Sequence, residues 1–198
     1  MLFAVIGIAL LAITTFACFS TVFPYPTTAE KFFVLAMLGE NQTAENYFPT
    51  NNPNLHNMEE VNWYVDVENF MQQAQYVLVK VKVLNSTMTL PDSVKCQPSP
   101  ENDLLNVTVF LTSGQSKVIA FSWHVADFAR TGEFLILRRI VVNGMSTSLN
   151  VESTNGADFH FLFELWHYDL FLQDFRFGWD SGFGVHCAWN QMIFSVNE

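Results

Sequence analysis

The side chains able to do chemistry are few and widely spaced. Five histidines, His56, His124, His160, His167 and His186, are the first candidates for a metal site, which requires three or four His, Cys or carboxylate ligands converging on one point. If residues 159–168 are extended, His160 and Glu164 share one face while His167 and Asp169 lie on the other, so no three ligands converge locally. A set assembled between strands, such as His167, Asp169 and His186, stands against histidines that pair with carboxylates or cap aromatic surface. No metal or cofactor is assigned on this basis. Asp169, Asp174 and Asp180 recur beside Trp166, Phe175, Phe177 and Trp179, an acid and aromatic mixture that suits sugars. The chain holds no Gly-x-Ser-x-Gly elbow, no His-Glu-x-x-His and no glycine-rich phosphate loop. The expectation is a protein that is not an enzyme.

Modification chemistry is better marked. Asn41-Gln42-Thr43, Asn85-Ser86-Thr87 and Asn106-Val107-Thr108 are glycosylation sequons, which places Asn41, Asn85 and Asn106 on an exported domain. Cys96 and Cys187 are the only cysteines after Cys18. They form either one disulfide in an oxidising compartment or two buried free thiols.

These residues need a scaffold, and alternation dominates the chain that supplies it. Val77, Val79, Val81 and Val83 fall on one face of a strand while Lys80 and Lys82 fall on a wet one; Val61, Trp63, Val65 and Val67 alternate with Asn62, Tyr64, Asp66 and Glu68 in the same way. Further strands are expected at 31–38, 104–112, 117–125, 133–142, 146–152, 159–168 and 187–196, about nine in all. Asn143-Gly144 and Asn155-Gly156 should join antiparallel neighbours. Short strands at this spacing, with no proline after Pro100, indicate an all-β domain, an immunoglobulin-like β-sandwich, with a closed barrel as the runner-up.

Residues 1–23 differ from everything that follows, because they contain no charged side chain. As a helix they reach roughly 35 Å, enough to cross a bilayer's hydrocarbon core, and Pro24 and Pro26 end the run. A helix apolar on all sides must be buried in lipid or among copies of itself. The expected organisation is a hydrophobic helix at 1–23, a linker at 24–30 and the sandwich at 31–198, outside the cytoplasm. The 9 Lys and Arg against 19 Asp and Glu give a net charge of −10, which excludes a nucleic-acid backbone as partner.

Ala29-Glu30-Lys31-Phe32-Phe33-Val34-Leu35, then Leu38-Gly39, Ala44 and Tyr47-Phe48-Pro49, followed by the Tyr76 valine strand, Phe163-Glu164-Leu165-Trp166 and the closing Trp189-Asn190-Gln191-Met192-Ile193-Phe194, form a recognisable layout. It resembles the extracytoplasmic domain of an archaeal membrane-protein family, the sixteen-sixteen domain-of-unknown-function family, over residues 28 to 196. The resemblance implies an archaeal source, membrane attachment and an immunoglobulin-like domain; it supplies no reaction and no catalytic residues.

One segment stands apart as an interaction surface. Phe171, Phe175, Phe177, Trp179 and Phe183 lie in a stretch punctuated by Gly178, Gly182 and Gly184, and are either partner contacts or a lid over the core. The expected role is a structural subunit of a cell-surface or membrane assembly. Its partners are membrane lipid and other protein subunits or copies of itself. An accessory subunit and a pilin-like filament subunit are the two versions, with a surface module binding a metal or sugar as the rival.

Overall fold

A computed structural model describes residues 30–197. The hydrophobic helix expected at 1–23 lies outside the described residues; among those described, no helix is long and apolar enough to cross a membrane. The compact unit begins at Lys31.

The domain is all-β, in two facing sheets. Nine long strands carry it: β1 (Phe33–Leu38), β3 (Val61–Asn69), β4 (Gln75–Asn85), β5 (Leu105–Leu111), β6 (Ser116–Thr131), β7 (Phe134–Val142), β8 (Met145–Thr154), β9 (Phe159–Asp169) and β13 (Ala188–Val196). Four short ones fill the gaps: β2 (Asn54–Leu55), β10 (Asp174–Phe177), β11 (Trp179–Asp180) and β12 (Val185–His186). One large sheet runs β1-β3-β6-β7-β8 and the other β2-β13-β9-β4-β5, with β10 hairpinned onto β9; β11 and β12 form a separate two-stranded pair.

The core is what the alternation encodes. Val61, Trp63, Val65 and Val67 on β3 face Val77, Val79 and Val81 on β4 and Phe159, Phe161, Phe163 and Leu165 on β9, all essentially buried. Aromatic edges fasten the two sheets: Trp63 to Phe161 at 5.5 Å, Trp123 to Phe161 at 4.4 Å and Phe121 to Phe163 at 5.3 Å between centroids. The Trp63 indole N–H donates to the Tyr47 carbonyl, whereas the Trp123 indole N–H, equally buried, has no acceptor.

Two expectations need correction. Asn143-Gly144, with φ of 48° and 77°, does join the antiparallel pair β7 and β8. Asn155-Gly156 has similar angles but carries the chain from β8 to β9, which belong to different sheets. A side chain at Gly156 would meet the Val196 carbonyl at 2.4 Å, so this glycine serves close approach of two backbones as well as the turn. The second correction concerns the wet face of β4. Leu78, Lys82 and Leu84 there are buried, as are His160, Leu162 and Glu164 beside them on β9. The 86–104 connection crosses this outer face at Ser99, so the middle of the second sheet is covered on both sides while Tyr76 and Phe110 stay exposed.

Candidate functional site

The outer face of the second sheet holds the densest group of charges in the domain. Lys80 pairs with Glu164 across β4 and β9, and Lys82 lies two residues along on the same face. The Lys82 ammonium is 3.1 Å from Glu164 Oε2 and 3.8 Å from Asp103, and it donates to the Ser99 carbonyl at 2.6 Å. Glu164 in turn accepts from the Ser99 backbone N–H at 2.7 Å and from the Trp166 indole N–H at 3.1 Å. The Lys82 side chain is 3% exposed and that of Glu164 0%. Lys80 sits nearer solvent, 3.1 Å from Asp103 and 4.2 Å from the Trp166 ring centre.

Lys82 and Glu164 spend their close contacts on each other, on Ser99 and on Trp166. What the group does is hold both sides of Ser99, N–H and C=O, and so clamp the 86–104 connection onto the sheet.

The same connection brings the cysteines together. The thiols of Cys96 and Cys187 both donate to the Ser93 carbonyl, at 3.7 and 3.8 Å, and are not joined in this structure. Burial, then the neighbouring Cys96 thiol, push the Cys187 pKa up to about 12. Trp189 adds an indole N–H to Ser93 Oγ at 2.8 Å. Gly178 (φ +88°) packs close: a Cβ there would lie 3.0 Å from Cys96 Cβ.

The three sequons differ in what their amides do. Asn41 is exposed on the loop after β1. Asn106 is exposed on β5, an edge strand, with only a 3.3 Å contact from its amide nitrogen to Asp103. Asn85 is held on both ends, its amide donating to the Glu152 carbonyl at 2.6 Å while its oxygen accepts from Thr87 and Met88. A glycan replaces an amide hydrogen, so attachment at Asn85 competes with that bond.

The histidines are spread over the domain. His160 Nδ1 meets Gln191 at 3.0 Å, His167 Nε2 meets the Gly178 carbonyl at 3.1 Å, and His186 stacks on Trp179. Asp169 spends one carboxylate oxygen on the backbone N–H groups of Phe171 and Leu172, which hold its carboxyl below the usual range. Among the described residues, no three His, Cys, Asp or Glu side chains are placed to hold a metal ion. Burial lowers the His167 pKa, opposed by the Gly178 hydrogen bond and by Asp169. Its Nδ1 is buried without a partner.

The five aromatic candidates separate into two groups. Phe177 and Trp179 are 5% and 4% exposed, so they belong to the lid, with Trp179 edge-on to Phe33 and its indole N–H on the Lys31 carbonyl. Phe175 is half-buried against Tyr168. Phe171 and Phe183 are 100% and 71% exposed. Leu170 and Leu172, which flank Phe171 at the β9–β10 hairpin tip, are exposed as well and were not singled out from the sequence. Tyr76, Phe110, His167, Tyr168 and Asp169 line an open cleft of about 430 Å³ beside that tip.

These features define an all-β sandwich with a clamped outer face and one strongly apolar hairpin. No family model matches the chain, and no curated protein does. Among solved structures it is similar to part of a β-glucosidase from Listeria innocua in complex with gluconolactone, at 12% identity and a TM-score of 0.37, covering 85% of this chain and 16% of that one. It is also similar to part of a β-glucosidase involved in saponin metabolism from intestinal bacteria, at 12% identity and a TM-score of 0.31, covering 86% and 16%. The chain thus spans 16% of the length of these enzymes.

Proposed function

We propose that this protein is a non-catalytic structural subunit of a cell-surface or membrane assembly, an immunoglobulin-like sandwich carried outside the cytoplasm on an apolar N-terminal helix. The observation that carries the reading is the uncharged run of residues 1–23, separated by seven residues from the start of a self-contained domain at Lys31. Exposed amides at Asn41 and Asn106 suit glycosylation of an exported domain. The version favoured is an accessory subunit whose helix packs in the membrane, with other subunits beside it. The filament version needs a self-contact that repeats without closing.

The rival reading, a sugar-binding module, draws on the cleft between Tyr76, Phe110 and Tyr168, whose aromatic faces and Asp169 carboxylate match a sugar's two kinds of surface. Fractionation of native membranes and shed surface material, with the chain followed by mass spectrometry and the fractions viewed by electron microscopy, tests the set. Recovery in a detergent-stable membrane complex of fixed stoichiometry supports the accessory subunit. Recovery in thin filaments gives the pilin-like version. Release by sodium carbonate, combined with retention on a glycan column, overturns both in favour of the sugar module.

A further inference from the structure

The chain enters the sandwich at one definite end. The Lys31 N–H donates to the Ser181 carbonyl at 3.4 Å and the Phe70 N–H to the Phe32 carbonyl at 2.9 Å, after which β1 pairs Phe33 with Asn69 and runs away from that end. Asn69 is fully buried there and ties two connections together, donating to the carbonyls of Gln73 and Leu111. Four loops therefore surround the point of entry: 70–74 between β3 and β4, 112–115 between β5 and β6, 170–173 between β9 and β10, and 181–184 between β11 and β12.

None of these four loops contains a charged residue; the charges of this end, Asp169, Asp174 and Asp180, sit on the strand ends that bound the 170–173 and 181–184 loops. Turns at a protein surface ordinarily carry charge, and the opposite end follows that habit, with Glu59 and Glu60 before β3, Glu133 between β6 and β7 and Asp158 before β9. The entry end also exposes large apolar side chains: Leu170 at 79%, Phe171 at 100%, Leu172 at 64% and Phe183 at 71%. Asp169 folds the 170–172 turn back on its own carboxylate, so the three side chains are presented outward by a fixed hairpin. Three consecutive exposed apolar side chains on one hairpin tip mark a contact surface.

The chain itself indicates what the surface meets. Residues 24–30 are the only link between this end and the apolar run of residues 1–23, and seven residues span at most about 25 Å. We propose that the end of the sandwich at which the chain enters rests on the bilayer that this run enters, with Leu170, Phe171 and Leu172 inserted at the boundary of headgroups and acyl chains and the flanking Asp169 and Asp174 at headgroup level. Insertion is apolar in origin, since an acidic protein of net charge −10 gains nothing from anionic lipid. The Glu133 turn, at the opposite end of the sandwich, then points away from the membrane. This rests on the membrane-anchored reading above.

The test uses the full chain reconstituted in phosphatidylcholine vesicles, with the photoreactive amino acid p-benzoylphenylalanine placed at Phe171 or, for comparison, at Glu133. Both positions are exposed, so neither substitution disturbs the core. After illumination, mass spectrometry should find phospholipid attached at position 171 about tenfold more than at position 133, unchanged by 0.5 M salt. Equal lipid labelling at the two positions, or attachment at 171 to protein alone, with the chain still resistant to carbonate extraction, overturns the hairpin's lipid contact and leaves the anchor intact. Extraction of the unmodified chain by carbonate overturns the anchor, and the lipid contact with it.

Discussion

Replacing Lys82 by Met probes the clamp on the outer sheet directly. The substitution keeps the length of the aliphatic stem and removes the ammonium that lies 3.1 Å from Glu164 and 2.6 Å from the Ser99 carbonyl. Glu164, whose side chain is 0% exposed, then keeps the Ser99 and Trp166 N–H donors but loses its 3.1 Å cation, while Lys80, its cross-strand neighbour, is held by Asp103. Breaking a buried pair from one side costs about 3–5 kcal/mol. At about 2–4 °C per kcal/mol for a domain of this size, the melting temperature should fall by roughly 6–20 °C. The double variant Lys82→Met with Glu164→Leu removes both charges and should recover most of that loss. Lys95→Met is the comparison, because its 3.5 Å pair with Asp92 is solvent-exposed and is worth about 0–1 kcal/mol. Urea unfolding of the full chain in mild detergent, followed by tryptophan fluorescence, measures all four proteins. A second readout is local: limited proteolysis should open the 86–104 connection in Lys82→Met before the rest of the domain. A loss below about 1 kcal/mol for Lys82→Met, equal to that of Lys95→Met, would refute the clamp.

Burial keeps His167 neutral in the folded domain, with a pKa below its ordinary 6.5. The unfolded chain therefore binds a proton first as pH falls, so stability is full above pH 6.5 and declines below it until the folded pKa is passed; His167→Gln should flatten that slope in urea midpoints measured from pH 8 to 5. Trp63→Phe should cost more than Trp123→Phe in the same assay, by about 1–3 kcal/mol, because the first loses the Tyr47 bond and the second removes an N–H that had no acceptor. In the reduced protein, Cys187 should resist iodoacetamide at pH 8 until urea is added, since its thiol pKa is pushed up to about 12; rapid alkylation of the folded protein would contradict that environment. Among the sequons, occupancy measured by mass spectrometry should be lower at Asn85 than at Asn41, reflecting the 2.6 Å bond from the Asn85 amide to Glu152.

Much of the scaffold was legible from alternation. The nine expected strands all appear, within a few residues of their bounds except β6, which continues past residue 125 to Thr131 through a bulge near Asp127. A strand that bends through a bulge loses its period-two signal, which is why its second half was not visible. The Asn-Gly pairs were read correctly as turns with positive φ, yet only one closes a hairpin, because a local angle preference does not say which sheet the next strand joins. The aromatic segment was flagged as a contact or a lid and proves to be divided, with Phe177 and Trp179 inward and Phe171 and Phe183 outward.

The amino-acid sequence alone determined the period of the strands, the identity of the core face, the charge balance and the uncharged run at residues 1–23, because each depends only on neighbours along the chain. The tertiary structure decided what is far apart in sequence and close in space. It turned Lys82 from a wet-face residue into the partner of a buried Glu164, because a connection 17 residues away folds across the sheet and removes the water on which the expectation depended. It also gathered four uncharged loops around the entry of the chain, a grouping set by how β-strands of opposite direction end at a common edge and invisible in any one of the loops.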